Sequence, residues 1–428
     1  MLKNLTRCAL GPALCLFSAL LQAAPYLPTD GAQVLEVLPR RSDPVQQQLQ
    51  RMRASLSANP HDLKQATALA QRYIALARSA SDPRYLGHAE AALAPWWRQA
   101  APPLAVRILR ATLLQSNHHF DAALADLDAV IAQEPNQAQA WLTRATVLTV
   151  QGDYARATAS CARLSSLATE LVAITCLASV ASVSGRALQS EQLLDLTLRR
   201  SSGVDPEIEL WVLTLLAEMA ARRGDAPAAE ARYQSALAVN PRDAYLLGAY
   251  ADFLLDVQRP EAVLELLREQ QRIDALLLRY ALALQQTTPA QPALKQTTPA
   301  QPTLKQTTPA QPALAKAKAE LLDRFNAAMQ RGDTVHQREQ AVFELLLRGD
   351  AQRALVLAQK NWAVQKEAAD LRIYLAAALK AGDSAAAAPA LQWIKTSHIE
   401  DSAVARLAQA LMQQQRQTLA QARKKAGT

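Results

Sequence analysis

Histidines, cysteines and carboxylates are the residues of this chain that could catalyse a reaction or hold a metal ion. Of the six histidines only His118 and His119 are adjacent, and they precede Phe120 on an expected turn, where neighbouring side chains point apart. An exposed polar turn explains this pair better than a metal site, and no Cys or His cluster has metal-ligand spacing. Carboxylates one helical turn apart, such as Asp252 and Asp256, are frequent enough in this chain to arise by chance.

Motifs for phosphate, nucleotide and acyl chemistry are also absent from the sequence. We find no Gly-rich phosphate loop followed by Lys-Ser or Lys-Thr, no dinucleotide fingerprint and no nucleophile elbow. We therefore predict that the protein is not an enzyme and needs no cofactor. The 46 basic and 38 acidic residues are mixed along the chain, so the net charge does not indicate a nucleic-acid partner.

The first 24 residues are predicted to be a secretory signal peptide. Lys3 and Arg7 give a basic start, an apolar run extends from Cys8 to Leu21, and small residues suited to cleavage follow at 23–24. The run is short for a membrane span, so we expect no stable span after cleavage. An uncleaved anchor or a buried first helix is the alternative. Export to the periplasm or the exterior is the expected localisation.

The helices that must position any site are indicated by a recurring pattern of about 34 residues. In residues 138–170, the small side chains of Ala145 and Ala157 let two antiparallel helices approach closely. Gly152 permits the left-handed backbone that ends the first helix, and Asp153 can cap the second. Matching positions recur in residues 104–137 and 210–243. Because Ala and Leu dominate the hydrophobic half of the chain, helices are favoured over strands.

This pattern resembles the tetratricopeptide repeat, a helix-turn-helix unit. The resemblance covers most of the chain after the signal peptide and implies an all-α fold, a right-handed superhelical solenoid of about nine antiparallel helix pairs. It does not specify a function. The resulting organisation is a lead-in with a capping helix at 25–60, helical repeats at 61–285 and 315–400, an inserted loop at 286–314, and a capping helix with a basic tail at 401–428.

The inserted loop consists of three near-identical copies of a ten-residue sequence that begins QTTPAQP. Each copy contains two prolines, and a proline inside a helix removes a hydrogen-bond donor and clashes with the preceding turn. We therefore expect an extended, solvated loop that splits one helix pair. A Pro-rich recognition strand or a flexible tether is the alternative.

Cys161 and Cys176 are the two cysteines that remain after loss of the signal peptide. Two cysteines in an oxidising compartment are usually paired. The repeat places Cys161 on the second helix of one unit and Cys176 on the first helix of the next, so a disulfide would join adjacent repeats. Two buried thiols that act as small apolar side chains are the alternative.

Candidate binding residues follow from the resemblance, since the first helix of each pair in tetratricopeptide arrays lines a concave groove, chiefly through its second, fifth, ninth, twelfth and thirteenth positions. The groove positions that could hold an extended peptide with basic or aromatic side chains are Trp211, Glu218, Arg222, Tyr245, Asp252 and Asp256. In the alternative interpretation, Trp211 and Tyr245 pack between repeats and the acids only solvate the groove.

The predicted function is an exported, periplasmic scaffold or adaptor that acts through protein–protein contacts, with envelope or complex assembly as a candidate setting. The alternative is an enzyme or glycan-binding protein that uses the concave face. A third interpretation is a purely structural spacer.

Overall fold

The computed structural model describes residues 44–288 and 310–426. The predicted signal peptide and most of the Pro-rich repeat therefore lie outside the described residues. The described segments contain helices and turns and no β-strand, which confirms the all-α fold class. Within them, no helix combines the length and the apolar character that a membrane crossing requires.

The chain divides into two units, residues 1–52 and residues 53–428. The described part of the first unit belongs to helix α1 (Pro44–Ala58).

Helices of the second unit form nine successive pairs in the described residues, as the repeat pattern predicts. A short helix α4 (Ala94–Trp97) follows the first pair, and α21 (Ser402–Ala426) closes the array. The pairs are α2 (Leu63–Ala80) with α3 (Arg84–Ala92), α5 (Leu104–Ser116) with α6 (Phe120–Gln133), α7 (Ala138–Gln151) with α8 (Tyr154–Arg163), α9 (Glu170–Ala181) with α10 (Ala187–Arg200), α11 (Pro206–Arg223) with α12 (Ala226–Val239), α13 (Ala244–Asp256) with α14 (Pro260–Leu266), α15 (Asp274–Thr287) with α16 (Ala310–Gln330), α17 (Gln337–Val342, continued as a π-helix to Arg348) with α18 (Ala351–Val364), and α19 (Ala368–Ala381) with α20 (Ala388–Ser397).

The turn between two paired helices has the chemistry that the sequence predicts. At the end of α7, Gly152 has φ +80°, and its N–H donates to carbonyls of the last turn. The next residue, Asp153, accepts a hydrogen bond at Oδ1 from the Arg156 N–H at 3.1 Å and so caps α8. Small residues mark the crossing of the two helices, since Ala145 and Ala157 are fully buried. These features confirm the helix-turn-helix reading of this unit.

A disulfide joins Cys161 on α8 to Cys176 on α9, with the two Cα atoms 5.4 Å apart. Both residues are buried in one apolar cluster, which also contains Leu148 and Leu164. The bond therefore links two adjacent helix pairs through their shared core, as the repeat placed it.

The described helices on either side of the Pro-rich repeat enter the range predicted as a loop. Helix α15 continues to Thr287, and α16 begins at Ala310 with Pro312 in its first turn. A proline is tolerated there because the N–H groups of the first turn have no partner within the helix. Residues 289–309 of the predicted loop lie outside the described residues.

The last pairs of the array contact the turns of pairs in the middle of the chain. The Lys366 N–H donates to the Val150 carbonyl at 2.7 Å, and Glu400 Oε1 accepts from the Ala187 N–H at 3.3 Å. Trp393 on α20 lies so close to Gly152 that a Cβ at position 152 would stand 2.2 Å from the indole ring. Because of these contacts, the first helices of several pairs face one common cavity.

Candidate functional site

A cavity of about 350 Å³ lies between the first helices of the pairs from α7 to α19. Five of the six residues predicted for the groove line it: Glu218, Arg222, Tyr245, Asp252 and Asp256. The sixth, Trp211, is half-buried and lies outside the lining. Trp211 precedes Glu218 by two helical turns of α11, which is about 10 Å along the axis. The structure therefore brings the predicted residues of α11 and α13 together, except for the one nearest the start of α11.

Two predicted acids form ion pairs with arginines from other repeats. Asp252 lies 2.5 Å from Arg279 on α15, and Asp256 lies 2.8 Å from Arg372 on α19. Arg372 also binds the fully buried carboxylate of Asp401 at 3.0 Å. Burial raises the pKa of Asp256, while Arg372 opposes the shift. These acids hold the walls of the cavity in place, a role that neither the peptide-binding nor the solvated-groove interpretation includes.

Tyr245 is an exposed part of the lining, and it contacts Glu218, which is half-buried. Tyr245 leaves 68% of its surface accessible, so its ring does not fill a gap between repeats. Its hydroxyl donates to Glu218 Oε1 at 2.7 Å. In the described part of the chain, no cation lies within salt-bridge distance of Glu218. Burial raises the pKa of this carboxyl group, and the nearby charge of Arg222 only partly offsets the shift. The charge of Glu218 is the largest cause that places the pKa of Tyr245 well above its usual value.

Arg222 and Lys366 line the same cavity and form no ion pair with any described residue. Arg222 Nη2 donates to the Ser182 hydroxyl at 3.0 Å, while its Nε is buried without a hydrogen-bond partner. The Lys366 ammonium lies 5.8 Å from the centre of the Trp393 ring, which is within cation–π range. Burial lowers the pKa of Lys366. The lining therefore offers one acid and two bases whose charges are not matched by a partner.

Residues of α17 and α19 that the sequence pattern did not predict also line the cavity. Arg338 on α17 binds Glu367 at 2.7 Å and the buried Asp370 at 3.3 Å. Although burial disfavours its charge, the surrounding Glu339, Asp370 and Glu367 hold the pKa of Arg338 well above its usual value. The positional rule that selected Tyr245 and Asp252 would have found Arg372, the fifth residue of α19, if applied to that repeat. No local signal marks Lys366, which precedes α19.

The site can bind charged groups, and the described residues contain no group of three or more His, Cys, Asp or Glu side chains placed to hold a metal ion. Most of its acids and bases lie on helices, and most are fixed by ion pairs to one another. Such a lining can hold and orient a charged ligand without first rearranging.

Comparison with known proteins yields fold relatives only. No family model and no curated protein sequence matches the chain. Among solved structures, a tetratricopeptide repeat protein from Parabacteroides merdae is similar at 14% identity, with 72% of this chain and 98% of that chain covered and a TM-score of 0.33. The Cut9–Hcn1 hetero-tetramer of the APC/C gives 13% identity, 89% and 77% coverage and a TM-score of 0.39. The structure of the human IFIT1 dimer with PPP-AAAA gives 11% identity, 86% coverage of both chains and a TM-score of 0.36.

These scores are too low to support an argument about function. The fold is instead assigned from the helix pairs, their Gly-Asp turns and the small residues at the helix crossings. The protein has an all-α fold of tetratricopeptide-like helical repeats.

Proposed function

We propose that the protein is an exported scaffold or adaptor that binds a partner protein through a peptide segment held in the cavity. One observation carries the proposal: five residues selected by groove position line a single solvent-accessible cavity between the first helices of successive repeats. Tyr245 offers an accessible aromatic surface there, beside the carboxylate of Glu218. A partner segment with basic or aromatic side chains suits this surface, and we expect no nucleic acid and no catalytic step.

Export is supported by two separate features. The basic start, apolar run and small residues of the first 24 residues are typical of a signal peptide. The disulfide between Cys161 and Cys176 is a bond that persists in oxidising compartments such as the bacterial periplasm. Mass spectrometry of the protein from fractionated cells should find a chain that begins near residue 24 in the exported fraction. An unprocessed chain confined to the cytoplasm would contradict export.

Partner binding is tested by crosslinking pull-down from the envelope fraction, with the mature protein as bait. Tyr245→Ala and Glu218→Gln alter the contact between these two side chains in the lining and break no ion pair. Glu265→Gln is the matched control, because Glu265 is an exposed carboxylate on α14 outside the cavity. We expect partners recovered by the wild type and the control to be lost or depleted with the two cavity variants. Equal recovery by all four proteins would refute the proposal, provided that circular dichroism shows the same helix content.

A further inference from the structure

Glu218 and Arg222 are one helical turn apart on α11, yet they do not pair. A glutamate four residues before a basic residue is the favourable arrangement for an ion pair on a helix surface. In this structure, however, Glu218 receives its hydrogen bond from the Tyr245 hydroxyl of the following repeat, and Arg222 donates to the Ser182 hydroxyl of the preceding repeat. The two charges are therefore held apart by neutral groups on either side.

With these neutral partners, neither charge forms an ion pair with a described residue. The Ser182 hydroxyl donates its own proton to the Ser179 carbonyl at 2.9 Å, so it is committed to act as an acceptor for Arg222. Arg222 Nε has no hydrogen-bond partner, and burial raises the pKa of Glu218. A buried polar group without a matched partner costs stability, which is a recurring property of binding sites. A ligand that supplies both missing charges would remove this cost.

The size and spacing of the site fit a small ligand with an ammonium and a carboxylate group. Side chains one helical turn apart have Cβ atoms about 5–6 Å from each other, within reach of both charged groups of one amino acid. The cavity volume of about 350 Å³ is near the lower end of small-molecule sites, about 300–1,000 Å³. Lys366 adds a second unpaired cation, and the Tyr245 ring adds an accessible aromatic face.

We propose that the cavity binds a free zwitterion, an amino acid or a dipeptide, with its ammonium at Glu218 and Tyr245 and its carboxylate at Arg222 and Lys366. This inference rests on the proposed function only in taking the cavity as the binding site. A carboxylate gains charge-assisted hydrogen bonds from the guanidinium group, and an ammonium gains them from the glutamate. Neither charged group alone would satisfy the site.

The test is calorimetry and thermal unfolding of the mature protein with pools of the twenty amino acids and with a pool of dipeptides. A ligand that binds only the folded protein raises its melting temperature by mass action. We expect at least one free compound to bind, and the two pools separate amino acids from dipeptides as the source. The N-acetyl and carboxamide derivatives of the bound compound, which each lack one charge, should bind about tenfold more weakly or worse.

Variants assign the contacts to individual residues. Glu218→Gln and Arg222→Gln should each weaken binding by about tenfold or more. The control variants Glu265→Gln and Arg268→Gln change an exposed ion pair outside the cavity and should leave binding unchanged. No binding from either pool, or equal binding of the blocked derivatives, would overturn the inference. A partner pull-down that still depends on Glu218 in that case would leave the proposed function standing. Zwitterion binding without any recovered partner would support this inference and refute the scaffold proposal.

Discussion

The contact between Gly152 and Trp393 makes a quantitative prediction about how the last repeats dock on the middle of the array. In Gly152→Ala, the new Cβ would lie 2.2 Å from Trp393 Cη2 and 2.5 Å from Cζ2, so the indole ring must move. Trp393 also contacts Tyr154 and Trp362 edge-on, which limits where it can go. The alanine would keep a φ of +80°, which is unfavourable for any residue with a Cβ.

Gly382→Ala separates the two causes of destabilisation. Gly382 ends α19 with φ +72° and the same pattern of capping hydrogen bonds, but a Cβ there would meet no atom within 4 Å. Backbone strain alone should cost about 1–2 kcal/mol of unfolding free energy at this position. Gly152→Ala should add an overpacking cost of about 1–3 kcal/mol, for a total of about 2–5 kcal/mol.

Urea unfolding of both variants, in the wild-type and in the Trp393→Ala background, measures the difference. Removal of the indole ring should bring the cost of Gly152→Ala close to that of Gly382→Ala, because the remaining neighbour, Lys366 Cδ at 3.3 Å, belongs to a flexible side chain. The difference gives a coupling energy between positions 152 and 393. Hydrogen exchange at the α7–α8 turn and in α20 should report the same coupling locally. Equal destabilisation by the two alanine variants, or no effect of Trp393→Ala on their difference, would refute the close approach of these repeats.

Three further predictions follow from the same structure. Glu218→Gln should stabilise the protein at neutral pH and lose this advantage on acidification, because burial raises the pKa of the carboxyl group in the folded protein above the unfolded value of 4.5. The stability of the wild type therefore falls as the pH rises from 4.5 to the higher folded pKa. An advantage of the variant that persists below pH 4.5 would contradict this assignment. Replacing Cys161 and Cys176 by serine should cost about 3 kcal/mol for a loop of 15 residues, and two reactive thiols in the unreduced, unfolded protein would exclude the bond. Deleting residues 286–305 joins Gln285 to Gln306, and the sequence QTTPAQP then follows Gln285 as before. The melting temperature should therefore change little. A fall of many degrees would show that the repeat is needed for folding.

The helix pairs could be predicted because their signals are local. Gly152 and Asp153 set the turn through their own backbone and capping preferences, and Ala145 and Ala157 mark a crossing within one repeat. The start of α16 was harder to place. Proline is compatible with the first turn of a helix, so Pro312 does not exclude a helix that begins at Ala310.

The candidate site was predictable on one wall only. Glu218, Tyr245 and Asp252 follow from helical periodicity within two neighbouring repeats, because side chains at fixed spacing share a face. Their partners cannot be found in this way. Arg372 reaches Asp256 across 116 positions of sequence, and Lys366 enters the lining through a backbone contact with Val150.

By itself, the sequence determined the repeated unit, its turns and the adjacent placement of the two cysteines, since each depends on residues within one or two repeats. Only the tertiary structure decided that Asp252 and Asp256 form ion pairs, whereas Glu218 and Arg222 do not. It also decided that Gly152 is needed for close packing as well as for its turn. The physical reason is that each repeat contacts mainly its neighbours, and small rotations from one repeat to the next accumulate along the array. Which distant repeats meet depends on that accumulated geometry, and no local pattern of residues encodes it.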